Sequence, residues 1–244
     1  MVVVLPPMLG AHRASWAAVV ELSQRLPDSW TLVGGQMVLL HCWERATAPA
    51  RPTEDADAVV DVRTRPSMLR DMTSALLDMG FRSAGSSPSG HEHRWVRDGA
   101  QVDVLLPDGI GGRAAGRAGA TGSTTLETPG GTAALTHTER LEVRFEGLVA
   151  AVPRPHLAGA LLAKSRALLN PQDPHPGRHA VDIAVLASMV GRADVPVLRE
   201  VLANRKSRAT LGAAIARLGS DRAVWVTVEG ADAGVARLAE ILGR

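Results

Sequence analysis

Three aspartates are the residues of this chain whose type and spacing best suit chemistry. Asp55 and Asp57 stand two apart in the run Arg51-x-Thr53-x-Asp55-x-Asp57, just ahead of Val59, Val60 and Val62. Residues two apart on a strand point to the same side, so the two carboxylates are expected to be presented together. Side by side they repel, and joint ionisation is disfavoured unless a cation sits between them. Magnesium suits such a place, because it prefers a couple of carboxylates plus substrate phosphate oxygens to an all-protein cage; manganese favours the same oxygen ligands. A third acid, Asp103, is embedded in the apolar run Gln101-Val102-Asp103-Val104-Leu105. If that run lies beside residues 55–62, Asp103 completes a two-cation site. Such a site clamps the attacking and leaving oxygens of an in-line displacement, with ions ~3.5–4 Å apart. The alternative for Asp103 is an arginine partner in place of a metal.

The elements that must position these acids follow from local pattern. Trp30–Val33 reads as a short strand, Gly34-Gly35 breaks it, and the apolar run Met37–Cys42 reads as a helix. The free backbone N–H groups of that glycine turn suit phosphate oxygens. A Pro- and Ala-rich loop, 46–53, leads into the strand expected over Asp55–Val62, where β-branched residues dominate. An Asp-x-Asp pair alone is more often a solvated edge, and Gly-Gly alone more often a turn. The ordered combination of glycine turn, helix, paired acids and a later strand acid is what points to a site.

Around this centre, Ala14–Arg25 carries Trp16, Val19, Val20 and Leu22 as one helical face, and Ser67–Met79 repeats the pattern before Gly80. His93–Val96 and Val102–Leu106 form a hairpin about Asp98-Gly99, and Leu141–Phe145 and Leu148–Val152 a second about Glu146-Gly147. The Gly-, Ala-, Ser- and Thr-rich stretch Gly109–Gly131 reads as a long loop. Helices are expected over Leu157–Leu169, Arg178–Met189, Val195–Leu218 with a break, and Ala231–Leu242, with a late strand over Ala223–Val228. The expected class is therefore α+β: a mixed sheet with flanking helices over residues 1–152, then a mainly helical lobe over residues 153–244.

Only Lys164 and Lys206 are lysines among the 27 basic residues, so a lysine here is a choice against the chain's default cation. Lys164 follows Leu161, Leu162 and Ala163 on an expected helix, and a compact ammonium contacts phosphate as a point charge. The histidines His91, His93, His175 and His179 lack the compact His/Cys grouping that zinc needs, and a structural or surface role is expected. His93 and Arg94 lie one strand before Asp103, within reach of a substrate.

The run Leu32-Val33-Gly34-Gly35 … Arg51-x-Thr53-x-Asp55-x-Asp57 resembles the nucleotidyltransferases of the AbiEii/AbiGii toxin type, in the DNA polymerase β-like superfamily. Those proteins also carry a lysine on a second-lobe helix and an aspartate on the next helix. Lys164 in Leu161–Leu168 matches the first, and Asp182 in Arg178–Ile183 the second. The resemblance spans roughly Trp30 to Leu186. The chain departs from it in having Gly34-Gly35-Gln36 where a Gly-Ser turn is common, and His179 where an aspartate is common. The resemblance implies transfer of a nucleotidyl group from a nucleoside triphosphate to RNA, tRNA included, or to protein. It implies nucleotide binding by Gly34, Gly35, Arg51, Thr53 and Lys164, and catalysis by Asp55, Asp57, Asp103, Lys164 and Asp182. It also implies magnesium or manganese as cofactor and an antitoxin protein as partner. A small-molecule acceptor, as in antibiotic-modifying nucleotidyltransferases, and a non-catalytic nucleotide-binding module are the competing readings.

Composition sets the remaining bounds. A hydrophobic fraction of 45% and a charged fraction of 21% are those of an ordinary globular chain. Aromatic residues make up only 3%, so Leu, Val, Ala and Met must build the core. The net charge of +2 is too small to announce nucleic-acid binding by itself. No apolar stretch is long enough to span a bilayer, and the opening MVVVLPPMLG lacks the pattern of a signal peptide. The single cysteine, Cys42, cannot form an internal disulfide, which fits a cytoplasmic protein.

Overall fold

The computed structural model describes residues 2–87 and 89–243. Its chain opens with strand β1 (Val3–Val4) and helix α1 (Gly10–Arg25). The α1 face predicted from the sequence, Trp16, Val19, Val20 and Leu22, is buried throughout, and the helix begins one turn earlier than expected. β2 (Trp30–Val33) is buried along its whole length and passes without a linker into α2 (Gly34–Glu44). Gly34 makes that turn possible, with φ at +66°, a backbone region costly for any residue with a Cβ.

β3 (Ala56–Val60) is shorter than the expected 55–62 and leaves Asp55 just ahead of the first paired residue. Helix α3 (Met68–Asp78) and strand β4 (Arg82–Ser83) follow. β5 (Arg94–Arg97) and β6 (Ala100–Pro107) form the expected hairpin, with Asp98 at φ +47° and Gly99 at +82°. Two such residues are what a two-residue turn matching the strand twist requires.

The stretch 109–131 is more ordered than its composition suggested, containing helix α4 (Gly112–Ala115) and strand β7 (Glu127–Thr128). Its last glycine opens helix α5 (Gly131–Thr136), which the sequence pattern did not signal. β8 (Thr138–Phe145) and β9 (Leu148–Pro155) form the second hairpin, extended beyond its apolar kernel by continued pairing as far as Thr138 with Pro155. Helices α6 (Leu157–Leu168), α7 (Gly177–Ser188), α8 (Val195–Ala203), α9 (Arg205–Ser220) and α10 (Ala231–Ile241) complete the chain. The break between α8 and α9 is Asn204, whose side chain caps α9 by accepting from Lys206 N and Ser207 N.

The late strand expected over Ala223–Val228 does not form. Arg222–Val224 is a 3-10 turn, and Trp225 is buried with its Nε1 donating to Leu218 O. An isolated run of β-formers has no ladder to join there, so its backbone closes on local turns instead.

The main sheet runs β2-β3-β6-β5-β4, with β7 alongside the end of β6, and a second sheet runs β1-β8-β9. The main sheet is mixed: β3 pairs β6 in parallel, whereas β2 with β3 and β5 with β6 are antiparallel. Helix α1 packs on β6 and β9, α2 against α7, and α6 against α5, α7 and α9. One cluster of buried apolar side chains extends from Val3 to Leu242. Among the described residues, no helix is long and apolar enough to cross a membrane.

A buried polar hub fixes α2 onto β9. Arg154, whose side chain is 1% exposed, pairs with Glu44 at 2.6 Å and with Glu139 at 3.2 Å. His41 Nε2 lies 3.1 Å from Pro155 O, and burial pushes this imidazole down to about 4, so it is neutral at pH 7. Breaking such a buried pair costs far more than its formation gains, which holds the α2 axis, and with it the Gly34-Gly35 turn, in one orientation.

Candidate active site

The acid cluster is produced by strand register. Asp57 on β3 is paired with Asp103 on β6, and neighbouring strands lie about 4.8 Å apart. Asp55 precedes Asp57 by two, just ahead of β3. Ligand oxygens of all three carboxylates lie within 4.8 Å of one another. The expected grouping is therefore present, with Asp103 buried and Asp55 and Asp57 partly open.

Two glycines shape the wall facing these acids. A Cβ on Gly34 would fall on the Asp57 carboxylate, and one on Gly35 would come within 2.7 Å of the Thr53 side chain. Only hydrogen at these positions lets the start of α2 lie against the acids. Thr53 Oγ1 donates to Asp55 Oδ1 at 2.9 Å, which steers that carboxylate. Gln36, which follows the Gly34-Gly35 turn, is turned into the core. It accepts from Trp16 Nε1 at 2.6 Å and donates to Thr53 O at 3.1 Å, so it braces the acid-bearing segment.

The helical part of the chain supplies the opposite wall. Lys164 Nζ lies 2.7 Å from Asp182 Oδ2. Arg51 grips the same carboxylate in a fork, Nε to Oδ1 at 2.9 Å and Nη2 to Oδ2 at 3.0 Å. Burial alone would raise the Asp182 carboxyl, but Lys164 and Arg51 outweigh it and hold the group below the usual range. Asp182 thus stays ionised and fixes Lys164 at the cavity edge. Arg51, from the motif segment, ties the two halves of the site together through this shared acid.

The cavity between these walls has a volume of about 310 Å³ and is lined by the three acids, Gly34, Gly35, Arg51, Thr53 and Lys164. Every one of the sequence-predicted positions therefore borders it, except Asp182, which sits behind Lys164. Lining residues that sequence reasoning missed are Arg178 and the Thr128–Gly131 turn. The signal for that turn is the Pro129-Gly130-Gly131 run, at the end of the stretch expected as a long loop. His179, expected in a structural or surface role, also lines the cavity. Its Nε2 lies 2.7 Å from Asp173, while burial and the neighbouring Lys164 push it down to about 4. Among the described residues, no histidine joins the acid cluster.

Asp57 feels the crowding most. It stands at the cavity floor, enclosed by protein yet open to the cleft. Burial first, and then the charges of Asp55 and Asp103, raise its carboxyl to about 7. Asp103 carries the arginine partner noted as an alternative: Arg94 Nε and Nη2 reach its two oxygens at 3.0 and 2.9 Å.

The sequence matches no family model, and no curated protein matches it. In three dimensions the chain is similar to the crystal structure of an antigenic nucleotidyltransferase-like protein from Paracoccidioides brasiliensis. The TM-score is 0.51 at 15% sequence identity, and the match covers 96% of this chain and 92% of the other. The α+β chain described above thus has a nucleotidyltransferase-like fold.

Proposed function

We propose that this chain is a metal-dependent nucleotidyltransferase that moves a nucleotidyl group from a nucleoside triphosphate to an acceptor hydroxyl. The observation that carries the reading is the convergence of Asp55, Asp57 and Asp103 on one cavity wall, with Lys164 on the other. The donor set fits a hard divalent cation: three carboxylates without nitrogen or sulfur ligands are the chemistry of magnesium or manganese. The raised Asp57 carboxyl supports this fit, since crowded acids whose central member has no hydrogen-bond donor among the described residues call for a cation. When bound there, such ions polarise the phosphate and offset charge developing on the attacking and leaving oxygens.

The residues of the chain then have distinct tasks. Asp55 and Asp57 would hold a cation beside the triphosphate, and together with Asp103 a second one. Gly34 and Gly35 admit phosphate oxygens to the backbone N–H groups at the start of α2. Lys164, held by Asp182 and Arg51, offers a fixed positive charge to the phosphates. Asp103 stands on the acceptor side and takes up the hydroxyl proton. The bond from the acceptor oxygen to the α-phosphorus forms as the bond to the pyrophosphate oxygen breaks, and pyrophosphate leaves. Catalysis of this kind rests on positioning and charge stabilisation.

On this reading, residues 1–152 carry the acids and residues 153–244 the lysine–aspartate pair. The resemblance to AbiEii-type toxins favours RNA, tRNA included, or protein as acceptor over a small molecule, with an antitoxin as partner in the cytoplasm. The test is incubation of the pure chain with each labelled triphosphate and bulk RNA, with and without magnesium. Magnesium-dependent label in the RNA is expected. Calorimetry giving the same triphosphate affinity with and without magnesium, together with no transfer to RNA or protein, would overturn it.

A further inference from the structure

Asp57, Asp103 and Arg94 form one row across three adjacent strands, because Asp57 is in register with Asp103 and Asp103 with Arg94. Within that row the Arg94 fork engages both oxygens of Asp103, at 3.0 and 2.9 Å. A cation shared with Asp55 and Asp57 requires one of these oxygens. The Asp103 side chain is only 8% exposed and that of Arg94 44%, so the acid is the fixed member of the pair and the guanidinium the movable one. Turned so that its oxygen faces Arg94, the Gln101 amide accepts from Nε and Nη2 at 3.0 and 3.1 Å. Arg94 therefore has a second acceptor that lies outside the acid cluster.

Lys164 behaves differently. Its ammonium is committed to Asp182, which is not among the three clustered acids, so a cation entering the cluster competes with Arg94 and leaves Lys164 in place.

We propose that Arg94 is a displaceable counter-ion for Asp103. It occupies the carboxylate while the cluster holds no cation, and it is released when a divalent ion binds there. The freed guanidinium, still tethered to β5 at the cavity wall, then engages phosphate oxygens of the triphosphate. This inference rests on the nucleotidyltransferase reading and deepens it by assigning Arg94 to the triphosphate-binding residues. The physical basis is that a guanidinium fork matches carboxylate and phosphate equally well. A cation arriving alone leaves Arg94 only the neutral Gln101 amide in place of the Asp103 carboxylate. A cation arriving with the triphosphate gives Arg94 a new partner. Cation and nucleotide should therefore strengthen each other's binding, reciprocally.

The experiment is Mn²⁺ binding to the full chain, followed by electron paramagnetic resonance, with and without a non-hydrolysable triphosphate analogue. Wild type, Arg94→Gln and Arg94→Lys are compared. Without nucleotide, Arg94→Gln should bind Mn²⁺ about tenfold more tightly than wild type, the equivalent of one charge-assisted pair. Arg94→Lys keeps the charge but lacks the fork, so it separates occupation of the oxygens from a general field effect. It is expected to bind Mn²⁺ more tightly than wild type. The analogue should tighten Mn²⁺ binding in wild type and have a much smaller effect in Arg94→Gln. Equal Mn²⁺ affinity in wild type and Arg94→Gln, or in wild type and Arg94→Lys, overturns the proposal while leaving the metal site intact. Absence of Mn²⁺ binding in all three proteins overturns both this inference and the nucleotidyltransferase reading.

Discussion

Replacing Asp57 by asparagine should stabilise the metal-free chain while abolishing its function. The Asp57 carboxyl is raised from 3.8 to about 7, first by burial and then by Asp55 and Asp103, against the opposing pull of Lys164 and Arg178. That rise corresponds to about 4 kcal/mol, and contact with cleft water trims this to about 3–4 kcal/mol. The sign follows from proton binding. Between about pH 4 and 7 the folded chain holds a proton on Asp57 that the unfolded chain has lost, so stability falls as pH rises through this window. Above pH 7 both states are ionised and the native state carries the whole penalty; below pH 4 the penalty vanishes. Asparagine keeps the shape and removes the charge. At pH 8 with a chelator present, Asp57→Asn should raise Tm by roughly 6–16 °C, at about 2–4 °C per kcal/mol for a chain of this size. At pH 4 the two proteins should melt together. Added magnesium should stabilise wild type at pH 8 and leave the variant unchanged, and the variant should transfer no nucleotide. Scanning calorimetry at the two pH values checks this. A variant no more stable than wild type at pH 8, or stabilised equally at pH 4, would refute the electrostatic account of the cluster.

Three other perturbations test other parts of the site. Lys164→Ala should lower the rate of nucleotidyl transfer by a few kcal/mol in the barrier, about 10²–10³-fold, and Lys164→Arg should also be impaired because a planar fork replaces a point charge beside an Asp182 already gripped by Arg51. Full activity in Lys164→Ala, measured with labelled triphosphate, would remove the lysine from the mechanism without touching the acid site. Gly34→Ala places a Cβ on the Asp57 carboxylate at a positive φ; it should destabilise the chain by about 1–3 kcal/mol and weaken magnesium binding, and unchanged melting and calorimetry would contradict the close approach. Cys42 is buried, with its thiol pushed up to about 11 by burial and by Asp182; it should resist a thiol reagent at pH 7 until the chain is unfolded, and rapid native labelling would show the packing of α2 against α7 to be open.

Much of the site was legible because its signals are short-range. The period-two alternation that puts Asp55 and Asp57 on one side operates within three residues, and the left-handed turns at Asp98-Gly99 and Gly34 follow from local sterics. Hairpin order came from the same kind of signal, and so did the helical face of α1. The same local reasoning failed at Ala223–Val228, where β-forming residues have no strand to pair with, and at α5, whose glycine-rich entry looked like loop.

What only the tertiary structure decided is who meets whom. Alternation cannot set the register that sets Asp57 opposite Asp103, because parallel pairing joins strands separated by α3 and β4–β5, and several registers would satisfy the same apolar pattern. Nor does any local rule choose between a metal and an arginine for Asp103; the β5–β6 pairing brings Arg94 there. Arg51 reaches Asp182 across 131 residues of chain, which depends on how α2 and α7 pack. Residue types and spacing determined which groups this chain could offer to a ligand, since dihedral preferences and side-chain periodicity are properties of neighbours along the chain. Their convergence on one cavity was decided by the tertiary fold, because strand register and ion-pair partners depend on long-range burial, where many contacts must be satisfied at once.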